Sequence, residues 1–245
     1  LKLPAIDNFE VDCFKKDAPV ETFNVKLSEM NYRLEASYHV PIVDAIVKHF
    51  EKYAAEVTII GDKRISNNVF LPGRFKRVYD EGYGRVFFGG KQLFELDPTN
   101  TKYLSISKHD KRMKEELELK ENLILITRSG TIGKTVLVPK HWENWVASED
   151  VLRIAPASAE MAGYLYIYLL SDYGAKLVDR CAYGSVISHI DDTHIYNLPV
   201  PLLKNSEIQQ KINSLALEAN QKRYEAYKLE QKALEIMDKE VIYAK

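Results

Sequence analysis

The sequence predicts an α+β fold in which a globular domain of mixed helices and strands is followed by one long helix. Three observations predict it. Short apolar runs are punctuated by Gly, Pro, Asn or Asp, as strands are. Amphipathic helical stretches fall between those runs without a strict strand–helix–strand repeat. From Ser206 to Lys245 the chain contains no Gly or Pro at all. The expected division is an N-terminal extension over 1–29, the globular domain over 30–205 and the helix over 206–245.

Taken in order, residues 38–55 place Val43, Ile46, Val47 and Phe50 at three- and four-residue spacing, which predicts a helix with Pro41 in its first turn. Strands are predicted at Val57–Ile60, Arg85–Phe88, Leu123–Thr127, Lys134–Val138 and Val151–Ile154, and helices at Asp110–Leu119 and Met161–Leu170. In the last segment Ile208, Ile212, Leu215, Ala219, Ala226, Leu229, Ala233 and Ile236 recur at alternating four- and three-residue steps, with Lys222 the one polar interruption. That is a coiled-coil seam. Leu217, Tyr224, Tyr227 and Leu234 add apolar area on its flank, and Ser206 is the expected N-cap. A continuous helix from Ser206 to about Tyr243 would be roughly 57 Å long at ~1.5 Å per residue, more than one such domain needs for cover. The expectation is therefore that it packs against something else, the alternative being a helix folded back on its own domain.

Composition excludes several classes. With 46% hydrophobic and 28% charged residues in 245, the chain can bury a sizeable core. No run approaches the ~18 apolar residues that cross a bilayer, and Leu1-Lys2-Leu3-Pro4 lacks a secretory pattern, so a cytoplasmic protein is expected. Leu1 in place of an initiator Met leaves room for a processed or excised start. Cys13 and Cys181 have no CxxC or His-Cys spacing, which points to free thiols and to neither a disulfide framework nor a zinc site. The formal charge is −1, but it is unevenly spread: residues 61–140 carry 16 basic and 10 acidic side chains, against 7 and 10 in 1–60, 3 and 8 in 141–200, and 8 and 7 in 201–245. A basic middle third can present a positive face to phosphates, although solvated surface charge gives the same numbers.

Three clusters carry candidate chemistry. Gly130-Thr131-Ile132-Gly133-Lys134-Thr135 ends like a phosphate loop, but the place of that motif's first Gly is Arg128, and a β-type run follows Thr135. A turn between strands explains its glycines. Thr127, Arg128, Ser129, Thr131 and Lys134 then put hydroxyl, guanidinium and ammonium donors on a narrow tip, chemistry that reads guanine edges and anchors phosphates. The second cluster, Arg180 to Ile190, again pairs Gly with hydroxyls and offers Tyr183, Ser185 and Ser188. Its His189 has no triad companions and reads as structural, while Asp191 and Asp192 read as a helix cap. The third is Arg74-Phe75-Lys76-Arg77-Val78-Tyr79 with Arg85, Lys91 and Gln92, in which aromatics are core and cations outside, or both face a ligand. No adenine-methylation tetrapeptide, nuclease PD-(D/E)xK series or glycine-rich nucleotide fingerprint occurs.

The ordered set Ser66 to Tyr79, Leu123 to Lys134, Tyr164 to Ser171, Gly184 to Ile190, and Leu198-Pro199-Val200-Pro201-Leu202 followed by Gln210 resembles the target-recognition domains of type I restriction-modification specificity subunits, over about residues 30–245. The resemblance implies a non-catalytic subunit that recognises one half of a split double-stranded DNA target. It also implies a helix packed antiparallel on a second conserved helix, and partner methyltransferase and restriction subunits that hold the S-adenosylmethionine, ATP and magnesium, so that this chain has no cofactor of its own. Its DNA-contacting candidates are then Arg74, Lys76, Arg77, Lys91, Gln92, Thr127, Arg128, Ser129, Thr131, Lys134, Tyr183, Ser185 and Ser188. The departure is number: the family's usual chain carries two recognition domains and two helical regions, whereas this one carries one of each. Either two copies associate through the helix and read a palindromic split site, or the chain is the recognition part of a larger fused methyltransferase-nuclease. A coiled-coil scaffold that binds no DNA is the alternative of another class.

Overall fold

The strand-forming runs assemble into three small sheets held together by helices, as seen in the computed structural model, which describes residues 23–242 apart from Asn31 and Thr99. Most of the expected N-terminal extension, Cys13 and the helix end at Tyr243 lie outside the described residues. The main elements are α1 (Pro41–Tyr53), β1 (Glu56–Ile59), β2 (Ser66–Phe70), β3 (Gly84–Phe88), β4 (Lys102–Ser105) and α2 (Ile106–Arg112, wound on as a wider turn through Met113–Leu117). They continue with β5 (Ile124–Thr127), β6 (Thr135–Leu137), β7 (Val146–Ala147), β8 (Val151–Pro156), α3 (Ala159–Leu170), α4 (Asp172–Arg180), α5 (Asp192–Tyr196), β9 (Pro199–Leu202) and α6 (Ser206–Met237). This is the predicted mixed fold with a long terminal helix. No helix among the described residues is long and apolar enough to cross a membrane.

The central sheet runs β2-β8-β5-β6, all antiparallel, and β5, β6 and most of β8 are buried on both faces. Period-two alternation sorts its side chains. Ile124, Ile126, Leu152, Ile154 and Leu137 enter the main core beneath α1, α3 and α4, while Leu125, Val136, Val138 and Val151 enter a second core with Phe88, Leu93 and Trp142. The β4-β3-β7 sheet covers a third cluster of Phe87, Leu104, Met113, Leu117 and Val146. Arg153, fully buried in β8, donates to the carbonyls of Val151 (2.5 Å), Ala147 (2.7 Å) and Ser148 (3.2 Å) and so ties down the loop before its own strand. Burial works against its charge, with Glu149 and Glu116 opposing that effect.

Strands β2, β4, β7 and β9 escape the periodicity argument because they are short, polar or Pro-bearing. β9 pairs only with β1, an edge position that tolerates Pro199 and Pro201. Their carbonyls accept the hydroxyls of Tyr168 and Tyr164, one turn apart on α3, and burial pushes both phenols well above the ordinary range.

Helix α6 corrects two expectations. Its N-cap is Asn205, whose side chain accepts from the backbone N–H groups of Glu207 (2.9 Å) and Ile208 (3.1 Å); Ser206 is the first helical residue. Its first half does fold back on its own domain. Asn213 and Asn220 are buried, the Asn213 Oδ1 accepting from Gly163 N (2.8 Å) and Tyr164 N (3.1 Å), and the Asn220 amide donating to Val138 O (3.0 Å). A Cβ on Gly163 would sit 2.4 Å from Asn213 O, so only Gly permits this approach of α3 and α6.

Candidate nucleic-acid interface

The turn after β5 is built by its own backbone hydrogen bonds. Gly130 and Gly133 have φ of +74° and +76°, Gly133 N donates to Thr127 O (3.0 Å), and Thr127 N donates to Lys134 O (2.9 Å). Thr127 is buried, its hydroxyl donating to Thr131 O (2.6 Å) and accepting from Lys134 N (3.0 Å), so it staples the loop and does not face solvent. Strand, turn and antiparallel strand rule out the phosphate-loop geometry.

A second loop lies beside this one. Tyr183 and His189 exchange backbone hydrogen bonds (3.0 and 2.7 Å), closing a hairpin whose tip runs from Gly184 to Ser188. Gly130 N donates to Ser188 O (3.2 Å), Ile190 N donates to Arg128 O (3.0 Å), and Ser129 bridges to His189. Two of the clusters singled out from sequence are thus one braced surface. Thr131 and Lys134 are exposed on one loop and Ser185 and Ser188 on the other, whereas Ser129 and Tyr183 are half-buried. Asp191 caps α5, accepting from His194 N (3.0 Å) and the Thr193 hydroxyl (2.6 Å). Cys181 is half-buried, its thiol on Leu177 O (3.4 Å) and pushed up to about 11 by burial.

Part of the third cluster joins them. A cleft of about 560 Å³ is lined by Gly90, Lys91, Phe94, Arg128, Thr131, Lys134 and Asp150, among others. Asp150 sits between two arginines, 3.7 Å from Arg128 Nη1 and 3.7 Å from Arg77 Nη2. Arg128 is also held by Ile190 O (3.3 Å) and Arg77 by Glu149 (2.8 Å), so neither is a free cation. The Lys134 ammonium lies 5.2 Å over the Phe94 ring. Gln92 accepts Gly89 N (3.0 Å) and serves the turn. Arg74 and Lys76 are exposed but do not line this cleft; Phe75 between them packs on the third core cluster under Arg112. Arg85 is tied to Glu118. Sequence reasoning missed Asp150, Phe94, Val186 and Ile187. Only the last pair carried a signal, two β-branched apolar residues amid Gly and Ser.

Along α6, Ile208, Leu215, Ala219, Ala226, Leu229, Ala233 and Ile236 are exposed. Ile212 is the exception: it turns inward and packs on the main core. The domain side of the helix continues past Asn220 through Tyr227, stacked on His141 with ring centroids 4.1 Å apart, to Gln231, which donates to Asp97 (3.0 Å).

No individually curated protein matches the sequence. Solved structures resemble it in part, among them the following three. The type I restriction-modification S subunit from M. genitalium shares 14% identity with a TM-score of 0.44, covering 66% of this chain and 38% of that one. The HsdS subunit from Thermoanaerobacter tengcongensis shares 16% at 0.46, covering 77% and 46%. A chain from a structure of complex assembly and conformational transition of the type I R-M system shares 18% at 0.45, covering 81% and 51%. The chain thus spans about half or less of the length of each. The family model for the type I restriction modification DNA specificity domain matches residues 79–231, which is more than half of the sequence, and the chain belongs to that family.

Proposed function

We propose that this chain recognises a double-stranded DNA sequence as the specificity component of a type I restriction-modification system, and that methyl transfer and cleavage belong to partner subunits. The observation that carries the reading is the meeting of Lys91 with Arg128, Thr131 and Lys134 of the turn after β5, nearly forty residues later, at one cleft beside a second braced loop. Such donors on stiff turns suit base edges and phosphates together. Residues 61–140 carry a basic excess although the whole chain carries −1, and three of its cations, Lys91, Arg128 and Lys134, line the cleft.

The exposed seam of α6 supports pairing with another helix, from a second copy or from a partner subunit, with methyltransferase and restriction subunits docking on the assembly. S-adenosylmethionine, ATP and magnesium are then held by those partners.

The test is binding of the purified chain to duplex DNA enriched from a random pool. Arg128→Ala should weaken specific binding by about 1–3 kcal/mol. Affinity should fall linearly with salt on a log-log plot. Unchanged affinity in Arg128→Ala removes that residue from the interface, and a flat salt response removes the phosphate contacts. Methylation or cleavage by the chain alone, given cofactors, would contradict its non-catalytic role.

A further inference from the structure

The hairpin tip carries two apolar side chains in the open: Val186 is 94% exposed and Ile187 53%. Single exposed apolar residues are ordinary. This pair differs in being held out on a braced support. Gly184 has φ of +104°, and a Cβ there would lie 2.4 Å from Ile187 O, so the turn is shaped around glycine. The Tyr183–His189 exchange closes the hairpin, and the Gly130–Ser188 and Arg128–Ile190 hydrogen bonds fix it against the loop that bears Arg128, Thr131 and Lys134. Both side chains are β-branched and have little rotamer freedom to lose on contact. Ser185 and Ser188 flank them.

We propose that Val186, with Ile187 beside it, reads the 5-methyl group of a thymine in the major groove, so that the recognised half-site contains a T·A pair contacted through that methyl. This rests on the DNA-binding reading above. A T·A pair shows in its major groove a carbonyl acceptor and a methyl group side by side. The tip offers the matching set, an apolar branch between two hydroxyls, next to a cationic cleft that attracts the backbone. Width selects the groove. Two hydrogen-bonded loops side by side form a ribbon, which a groove of about 12 Å admits and one of about 6 Å does not.

The experiment begins with the full chain and a randomised duplex pool. Each thymine of the enriched sequence is then replaced singly by uracil, which removes only the methyl. At one position uracil should weaken binding about fourfold, the factor that one buried methyl supplies. Val186→Ser, a change at a solvent-exposed tip, should bind the thymine and uracil duplexes equally at that position and keep its response to salt. Ile187→Ser should show a smaller loss of the same discrimination. If no sequence is enriched, the DNA-binding reading fails and takes this inference with it. If a sequence is enriched but no uracil position matters, or Val186→Ser still discriminates, the inference alone is overturned. Brightening of 2-aminopurine next to the contacted step, lost in Val186→Ser, would make the tip a wedge between bases and overturn it as well.

Discussion

The two faces of α6 are set by different rules. Against the domain the helix packs Ile212, Ala216 and Leu217 on the main core around the buried amides of Asn213 and Asn220, while toward solvent it shows Ile208, Leu215, Leu229 and Ile236. The inner face is specified by polar groups whose partners are fixed to within a hydrogen bond, so it admits one register and one approach distance. The outer face is specified by heptad spacing alone and lies exposed. One face fixes where the rod stands on its domain; under the proposed function the other recruits.

Substitutions that break this comparison rank by expected size. Gly163→Val forces a side chain into the space that Asn213 O occupies and should cost about 3 kcal/mol in urea unfolding, the upper range for overpacking. Asn213→Ala removes the acceptor shared by two buried N–H groups and should cost about 2 kcal/mol. Ala226→Glu with Leu229→Glu should leave unfolding within about 0.5 kcal/mol of the parent, because both positions are exposed. The same pair should weaken association at least tenfold, about 1.4 kcal/mol, by light scattering of the chain alone or with its methyltransferase. A parent chain that stays monomeric and forms no complex would leave the outer face without a partner and end the pairing proposal.

The smallest effect concerns the far end of the inner face. Burial holds His141 below its ordinary 6.5, so the folded state favours the neutral ring. As pH falls below 6.5 the unfolded chain binds the proton first, and stability declines until the folded-state value is passed. His141→Phe should keep the stacking on Tyr227 and lose that part of the acid slope, measured as the difference between the two unfolding curves from pH 7.5 to 5; identical slopes would remove His141 as the cause. His109, also lowered by burial, contributes equally to both curves.

What was legible in the sequence was whatever repeats. The period of α1, the short apolar runs of β5, β6 and β8 between turn residues, and the heptad spacing of α6 are each regular local patterns, and each element stands within a few residues of its expected place. What was not legible depends on neighbours distant in sequence. Ile212 fits the seam by spacing, yet the contact of α3 with α6 draws it inward. Arg77 belongs to a basic run, and only the fold brings Glu149 and Asp150, some seventy residues later, onto its guanidinium. Thr127 reads as a surface hydroxyl until the turn closes over it. The turn residues of the cleft and Lys91 were visible in two separate clusters; their meeting, and the part played by Phe94 and Asp150, were not.

Asp150 gives that cleft a character that a row of cations would lack. Under the proposed function, an anion that takes Arg128 does so in exchange for a carboxylate already at 3.7 Å, so the gain is the difference between two ion pairs. For a lone phosphate oxygen the difference is small. For an acceptor that offers two atoms in the plane of a guanidinium it is larger, because the second hydrogen bond has no counterpart in the pair it displaces. On that reading the cleft holds its visitors by substitution and favours those that engage both donors of one guanidinium.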